Sequence, residues 1–232
     1  MIEIEDVDVY GWQAAIRGMR NSWNSWEDSD SFFHVGAMPG KPTCAEIGQN
    51  DLALTKKLAA AGSDERKFMR MITVTADVIA PLYWWKEYDT YKIGTVANSC
   101  STMHTVCKKE FSITDFSREH LFSLGYQHYN VLDTEETERI EFQTASLEIL
   151  RVIIQALNNY GKLYFETHDK KYWWQIIQLL PSSYNQRRTV QLNYEVLLKI
   201  YRARKNHKLD EWKTFCSWIE TLPYMSEFLG GE

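Results

Sequence analysis

Cysteine is scarce in this chain. Four occur in 232 residues, Cys44, Cys100, Cys107 and Cys216, and no two form a CxxC pair. No His/Cys cluster has zinc-ligand spacing, so neither a disulfide framework nor a structural zinc site is expected. The thiols read as reduced cysteines of an intracellular protein. Long apolar runs are also missing. No stretch approaches the roughly 18 apolar residues of a membrane span, and none is predicted. The start, MIEIEDVDVYGW, is acidic and lacks an apolar segment, so no signal peptide is expected and the chain reads as soluble and cytoplasmic. The phosphate-loop patterns GxGxxG and GxxxxGK[ST] do not occur, nor does the GxSxG nucleophile elbow. The six histidines make no HxxxH or HxH pair, which argues against a metal site. A net charge of −5, with pI near 5.7, argues against a general nucleic-acid coat or a membrane-surface protein. Internal repeats and low-complexity tracts are absent.

What remains is a chain of 27.3 kDa with 44% hydrophobic and 25% charged residues, close to ordinary globular usage and long enough to bury its own core. Aromatic residues stand out at 14%, nine of them Trp. They supply large flat surfaces for a core, a subunit contact or a planar ligand.

Apolar spacing predicts a helix over Val9–Met19, then loop through NSWNSWEDSDS and again over Gly36–Gly48. A short amphipathic helix follows from Asp51 to its stop at Gly62. Residues 68–79, FMRMITVTADVI, are β-branched and partly alternating, which predicts a strand ended by Pro81. That proline suits the first turn of a following helix, LYWWKEYDTY. Residues 92–108 read as small, polar and irregular. The longest predicted helix runs from Asp133 to Tyr160. Asp133 and Glu136 have capping-box spacing, and Ile140, Leu147, Leu150, Ile154 and Leu157 form its stripe. Helices are also expected over YWWQIIQLL, NYEVLLKIYRARK and LDEWKTFCSWIETL, with a short β-like TVQL before the second of these. The fold class is α/β of the α+β type, helix-rich with a small sheet and a long central helix, as one domain over 1–232.

Two segments carry chemistry. On a helix over 82–91, Trp84, Glu87, Tyr88 and Tyr91 would share a face that mixes aromatic surface with a carboxylate, as a heteroaromatic ligand site needs. The plain alternative is that Trp84 and Trp85 are core. In the second segment, LPSSYNQRRTVQLNYEVLLKIYRAR, Arg187 and Arg188 precede a helix start, Asn193 opens the helix and Arg204 lies three turns on. Helix N-termini and arginine forks favour anions. A solvated basic face extended by Lys199, Arg202, Lys205 and Lys208 is the competing reading.

These segments resemble the flavin-dependent thymidylate synthase (ThyX) family. Leu180-Pro181, Asn193, Leu197 and Arg204 occur in the family's order and spacing, and a strand leading through a proline into an aromatic helix and a polar Asn/Ser loop matches its architecture. The matching segments cover about a third of the chain. The family's Arg-His-Arg signature differs: if Ser101 is its serine, Asn98 falls on the family's Asn and the Arg-His-Arg slot reads Tyr91-Lys92-Ile93. Met103-His104 stands for the Arg-Tyr after that serine, GSDERKF replaces a His-containing segment, and Glu195 stands where the family usually has a basic residue contacting flavin.

The resemblance implies a ThyX-like fold and methylene transfer from methylenetetrahydrofolate to C5 of a pyrimidine deoxynucleotide. It further implies FAD as cofactor, NADPH as reductant and a homotetramer with sites between subunits. Neither a membrane nor a nucleic-acid partner is implied. It casts Arg204 as the arginine that binds and activates the base. Tyr91, Lys92, Asn98 and Asn193 become cofactor contacts, and Glu87, Tyr88 and Ser101 nucleotide contacts. No metal is implied. A close variant modifies another pyrimidine nucleotide, with Tyr91, Lys92 and His104 acting near the base. The alternative of another class is a non-catalytic nucleotide-binding or interaction protein, which expects an exposed Lys92 and no flavin. A nucleic-acid-binding module has only the basic Lys199–Lys208 face behind it.

Overall fold

The computed structural model describes residues 2–33, 45–100, 109–123, 127–128, 141–142 and 145–230, the pairs 127–128 and 141–142 and Ala45 through their backbone alone. In chain order the elements are β1 (Glu3–Tyr10), α1 (Trp12–Arg20), β2 (Phe32–Phe33), β3 (Ala45–Glu46), α2 (Gln49–Ala61), β4 (Thr73–Pro81), α3 (Leu82–Tyr88), β5 (Thr95–Ser99), β6 (Gln127–His128) and β7 (Glu141–Phe142). They continue with α4 (Ser146–Thr167), α5 (Lys170–Leu179), β8 (Asn185–Asn193), α6 (Tyr194–Arg204), α7 (Asp210–Thr221) and α8 (Ser226–Leu229). The result is helix-rich with a small sheet, the α+β class that the sequence predicts. Among the described residues no helix is long and apolar enough to cross a membrane. No group of His, Cys, Asp or Glu among them could hold a metal ion.

The chain forms two compact units, one from 2–79, 84–99 and 187–232, the other from 80–83 and 100–186. The larger holds the four-stranded sheet, ordered β1-β4-β8-β5, so β1 and β5 are its edges. β1 runs antiparallel to β4 with Tyr10 opposite Thr73, and β5 antiparallel to β8 with Thr95 opposite Leu192. β4 shows why these residues make a strand. Val74, Ala76, Val78 and Ala80 alternate into the core while Thr73, Thr75, Asp77 and Ile79 are half-buried. Trp84, Trp85, Tyr88, Trp212 and Phe215 are all buried and mutually packed, with Trp84 4.9 Å from Trp85 and 4.8 Å from Trp212 between ring centroids. Three of the nine Trp thus belong to this core, and Trp12 is buried elsewhere in the unit, whereas Trp23, Trp26 and Trp174 are exposed.

The smaller unit buries Phe111, Phe116, Leu150, Ile154, Leu157 and Ile176. Leu150, Ile154 and Leu157 lie one turn apart on α4, as the predicted stripe requires. Asn158 closes the core edge by accepting from the Phe111 backbone amide at 2.7 Å and donating to its carbonyl at 2.9 Å.

Several elements differ from expectation. Val9 and Tyr10 end β1 instead of opening a helix, because Gly11 at φ 92° breaks the chain there. A Cβ at Gly11 would lie 2.0 Å from the Met71 carbonyl oxygen, so only glycine fits. Phe68–Arg70 belong to a 3-10 turn (Arg66–Arg70) and the strand begins at Thr73. Thr95–Ser99, read as irregular, is β5; its polar composition suits an exposed edge strand. TVQL lies inside a nine-residue strand. Gly62, at φ 124°, ends α2 as expected. Asp133, Glu136 and Ile140 lie outside the described residues, as do Ser101, Met103 and His104.

Candidate functional site

A cleft of about 1180 Å³ in the larger unit runs beside α6, the turn after α3 and the 3-10 turn at Arg66–Arg70. Helical periodicity decides which side of α6 faces it. Tyr194, Leu197, Leu198 and Ile200 are buried, which leaves Glu195, Val196, Lys199, Arg202 and Ala203 on the cleft wall. Asn193 caps the helix, its Oδ1 accepting from the Val196 amide at 3.0 Å. Gly94, at φ 74°, packs so closely that a Cβ there would lie 2.8 Å from Asn193 Nδ2. The chain reversal into β5 and the cap of α6 are thus one packed joint on the cleft wall.

The electrostatics are lopsided. Five cations line the cleft, Arg66, Arg70, Lys92, Lys199 and Arg202, against one carboxylate, Glu195. Arg70 uses that carboxylate up: its Nε and Nη2 both donate to Glu195, and Nη2 also donates to the Ser63 carbonyl at 3.2 Å. The other four cations have no hydrogen-bond or ion-pair partner among the described residues, and Arg66 Nε is buried without one. By contrast, Arg20, Arg187, Arg188 and Arg204 elsewhere in the unit are all paired.

Next to the cleft, Arg204 is held by three side chains. Its Nε donates to Tyr91 Oη at 2.9 Å, its Nη1 donates to Glu87 Oε2 at 2.8 Å, and its guanidinium lies 4.8 Å from the Trp212 ring centroid. Glu87 Oε2 also accepts from Trp212 Nε1 at 3.0 Å, and His207 Nε2 lies 3.4 Å from it. The Leu209 amide donates to His207 Nδ1, which leaves Nε2 as the His207 nitrogen that faces Glu87. Arg204 Nη2 has no partner among the described residues. The guanidinium is therefore fixed in direction with one edge unspent.

The predicted site residues sort unevenly. Glu87, Tyr91 and Arg204 come together, and Tyr91, Lys92 and Asn193 line the cleft. Asn98 is exposed on the edge strand β5, apart from the cleft lining. Tyr88 is a correction to its predicted placement. It is 2% exposed, stacked 5.2 Å from Trp84, and burial with the neighbouring Asp89 charge drives its phenol far above the ordinary value. The shared aromatic face fails because α3 ends at Tyr88, two turns after it begins: Trp84 and Tyr88 take the core side, while Glu87 and Tyr91 meet at Arg204. Ser101 lies outside the described residues. The anion fork expected of Arg187 and Arg188 is also corrected, since Arg187 bridges Glu5 and Asp77, and Arg188 pairs with Asp89 over the Trp85 ring. Sequence reading missed the cleft roles of Arg66, Arg70, Lys199 and Arg202. The i, i+4, i+7 spacing of Glu195, Lys199 and Arg202 was the available signal.

No protein-family model matches the chain, and no curated protein does. Solved structures do match. The crystal structure of thymidylate synthase X (ThyX) from Helicobacter pylori with FAD and dUMP matches at TM-score 0.64 and 17% identity, over 99% of this chain and 97% of that one. A second structure of the flavin-dependent thymidylate synthase of the same organism, complexed with FAD and dUMP, gives 0.63 and 16%, over 98% and 97%. A UMP/dUMP methylase, PolB from Streptomyces cacaoi, bound with 5-Br dUMP, gives 0.56 and 15%, over 95% and 89%. Likeness over nearly the whole of each chain shows that this chain has the ThyX fold, which its Leu180-Pro181, Asn193 and Arg204 pattern implied.

Proposed function

We propose that the protein is a ThyX-like enzyme that modifies C5 of a pyrimidine nucleotide, with FAD in the cationic cleft and Arg204 on the base. The observation that carries this reading is the clamped Arg204, whose Nη2 is left over after Glu87, Tyr91 and Trp212 have fixed the rest of the group. A fixed donor beside a base carbonyl stabilises the negative charge that develops on that oxygen as C5 becomes nucleophilic, so no enzyme nucleophile is required. Glu87 and Tyr91 hold Arg204 in place. In this reading Glu87 acts through Arg204 and Trp212, since one of its oxygens already collects their N–H groups.

The cleft residues fit an anionic cofactor. Four uncompensated cations, among them Arg66 with its buried and orphaned Nε, suit phosphate groups, while Tyr91, Ile93 and Val196 offer apolar surface. When bound, reduced FAD would supply the hydride. Lys92, Lys199 and Arg202 would hold its anionic part, and Asn193 keeps α6 and the Gly94 reversal in register beneath it. Methylenetetrahydrofolate as methylene donor, NADPH as reductant, dTMP as product and a homotetrameric assembly belong to the same reading.

A non-catalytic nucleotide-binding protein is the second reading, and the exposure of Lys92 favours it. A visible spectrum of the purified protein with added FAD and a deoxyuridine nucleotide separates the two. A bound-flavin band that NADPH bleaches supports the enzyme. A colourless protein that ignores FAD refutes it.

A further inference from the structure

The turn between α6 and α7 is organised around one half-buried side chain, His207. Its backbone amide donates to the Arg204 carbonyl at 2.9 Å, and its Nδ1 accepts from the Leu209 amide at 3.2 Å. The Leu209 carbonyl in turn accepts from the Trp212 amide at 3.1 Å. An imidazole that accepts at Nδ1 carries its proton on Nε2 when neutral, and Nε2 lies 3.4 Å from Glu87 Oε2. His207 thus ties together the backbones of the two helices that bring Arg204 and Trp212 to Glu87. The charged and titratable groups around it are Glu87 near the end of α3, Tyr91 after it, Arg204 on α6, and Lys205 and Lys208 in the turn. On α7 they are Asp210, Glu211 and Cys216, whose thiol the Arg204 charge reaches. Asp210 is taken by Lys213 at 2.7 Å, and Glu87 is the carboxylate within ion-pair distance of the imidazole among the described residues.

Histidine is the side chain whose charge ordinarily changes between about pH 5 and 8. Gaining a proton forces a choice at this position. Both ring nitrogens become donors, so Nδ1–H meets the Leu209 N–H and that bond is lost. Nε2, a weak contact in the neutral ring, acquires an ionic claim on Glu87 Oε2. That oxygen already serves Arg204 at 2.8 Å and the Trp212 indole at 3.0 Å. We infer that His207 is a positioning residue for Arg204, which holds the clamp in register while neutral and loosens it on taking a proton, so that nucleotide affinity falls in acid. Arg204 then shares its carboxylate with a second cation, and α7 loses the contact that seats the turn before Trp212. The inference rests on the proposed reading of Arg204 as the group on the base, and it adds the residue that makes this contact pH-dependent.

The test is calorimetric titration of the full chain, with FAD added, by deoxyuridylate from pH 8 down to pH 5.5, alongside His207→Asn and His207→Phe. Asparagine keeps an oxygen for the amide two residues on and has no proton to gain. Phenylalanine keeps the bulk and loses both contacts. The nucleotide's own phosphate titrates at about pH 6 and acts on all three proteins alike, so the difference between profiles carries the answer. The parent's affinity is expected to fall about fivefold further than that of H207N, the loss of roughly one hydrogen bond, and H207F should bind about fivefold more weakly than H207N at pH 8. Nitrogen-15 spectra without nucleotide give a second readout. The Trp212 indole N–H signal should titrate over the same pH range in the parent and hold still in H207N. Deoxyuridylate binding with parallel profiles for the parent and H207N, or an indole signal indifferent to pH, overturns the inference and leaves the pyrimidine reading in place. An indole signal that titrates only when His207 is present, in a protein that binds no deoxyuridylate, does the reverse: the pyrimidine reading falls and the coupling through Glu87 stands.

Discussion

Replacing Glu87 tests the Arg204 clamp. Its Oε2 serves the Arg204 guanidinium at 2.8 Å and the indole N–H of Trp212 at 3.0 Å, and Trp212 is 0% exposed. Glu87→Ala strands a buried donor, which costs about 1–3 kcal/mol. The lost ion pair adds about 0.5–1 kcal/mol, kept small because both side chains are partly solvated at 20% and 34% exposure. The expected loss is about 3 kcal/mol, which for a chain of this size lowers the melting midpoint by roughly 6–12 °C. Glu87→Gln keeps an oxygen for the indole and should cost only about 1 kcal/mol. Urea denaturation followed by far-ultraviolet circular dichroism reads both. If Glu87→Ala stays within about 0.5 kcal/mol of the parent protein, the clamp does not hold Trp212 and Arg204 as described.

Other expectations follow from the same geometry. Arg204→Ala should weaken deoxyuridylate binding by at least about 1.5 kcal/mol, and calorimetry showing unchanged affinity would remove Arg204 from the site. Gly94→Ala forces a positive φ on alanine and drives a Cβ against Asn193, the cap of α6, so a loss of about 1–3 kcal/mol is expected in denaturant melts. Asp51 is fully buried, with Arg20 Nε at 2.6 Å and the Ser29 and Ser31 hydroxyls donating to it. Burial alone would raise its carboxyl, but the hydrogen bonds from Ser31, Ser29 and Arg20 outweigh it and hold the group below its ordinary value. Its contribution is therefore fully present above about pH 4 and lost as pH falls through the lower folded-state value, so Asp51→Asn should flatten the acid limb of a stability–pH profile. Burial and the nearby Glu220 charge push the Cys216 thiol up to about 11, so at pH 8 a thiol reagent should modify exposed Cys100 and spare Cys216 until the protein unfolds.

Much of the fold was legible because local signals agreed with their surroundings. α6 begins at the Asn193 cap and α2 ends at Gly62, both as read, and the stripe Leu150, Ile154, Leu157 is buried on α4. Legibility failed where tertiary partners override composition. Thr95–Ser99 is polar enough to read as loop, yet β8 pairs with it. Val9 carries helix-compatible spacing, yet Gly11 and the β4 edge make it a strand. At the candidate site, the family pattern and the aromatic helix pointed to Glu87, Tyr91 and Arg204, and the structure brings these three side chains into contact. Lys199 and Arg202 were read as a solvated basic face, since nothing in the order Glu195, Lys199, Arg202 shows that Glu195 will turn to Arg70, 125 residues away. Arg66 and Arg70 were hidden in a segment read partly as strand.

The central claim is chemistry at C5 of a pyrimidine directed by Arg204, and tritium release from deoxyuridylate labelled at C5 tests it most directly. With FAD, NADPH and methylenetetrahydrofolate present, the protein should release tritium to water, and Arg204→Gln should suppress the release while leaving the fold and flavin binding intact. A protein that binds the labelled nucleotide and FAD but releases no tritium, or releases it equally well without the Arg204 guanidinium, would contradict the account.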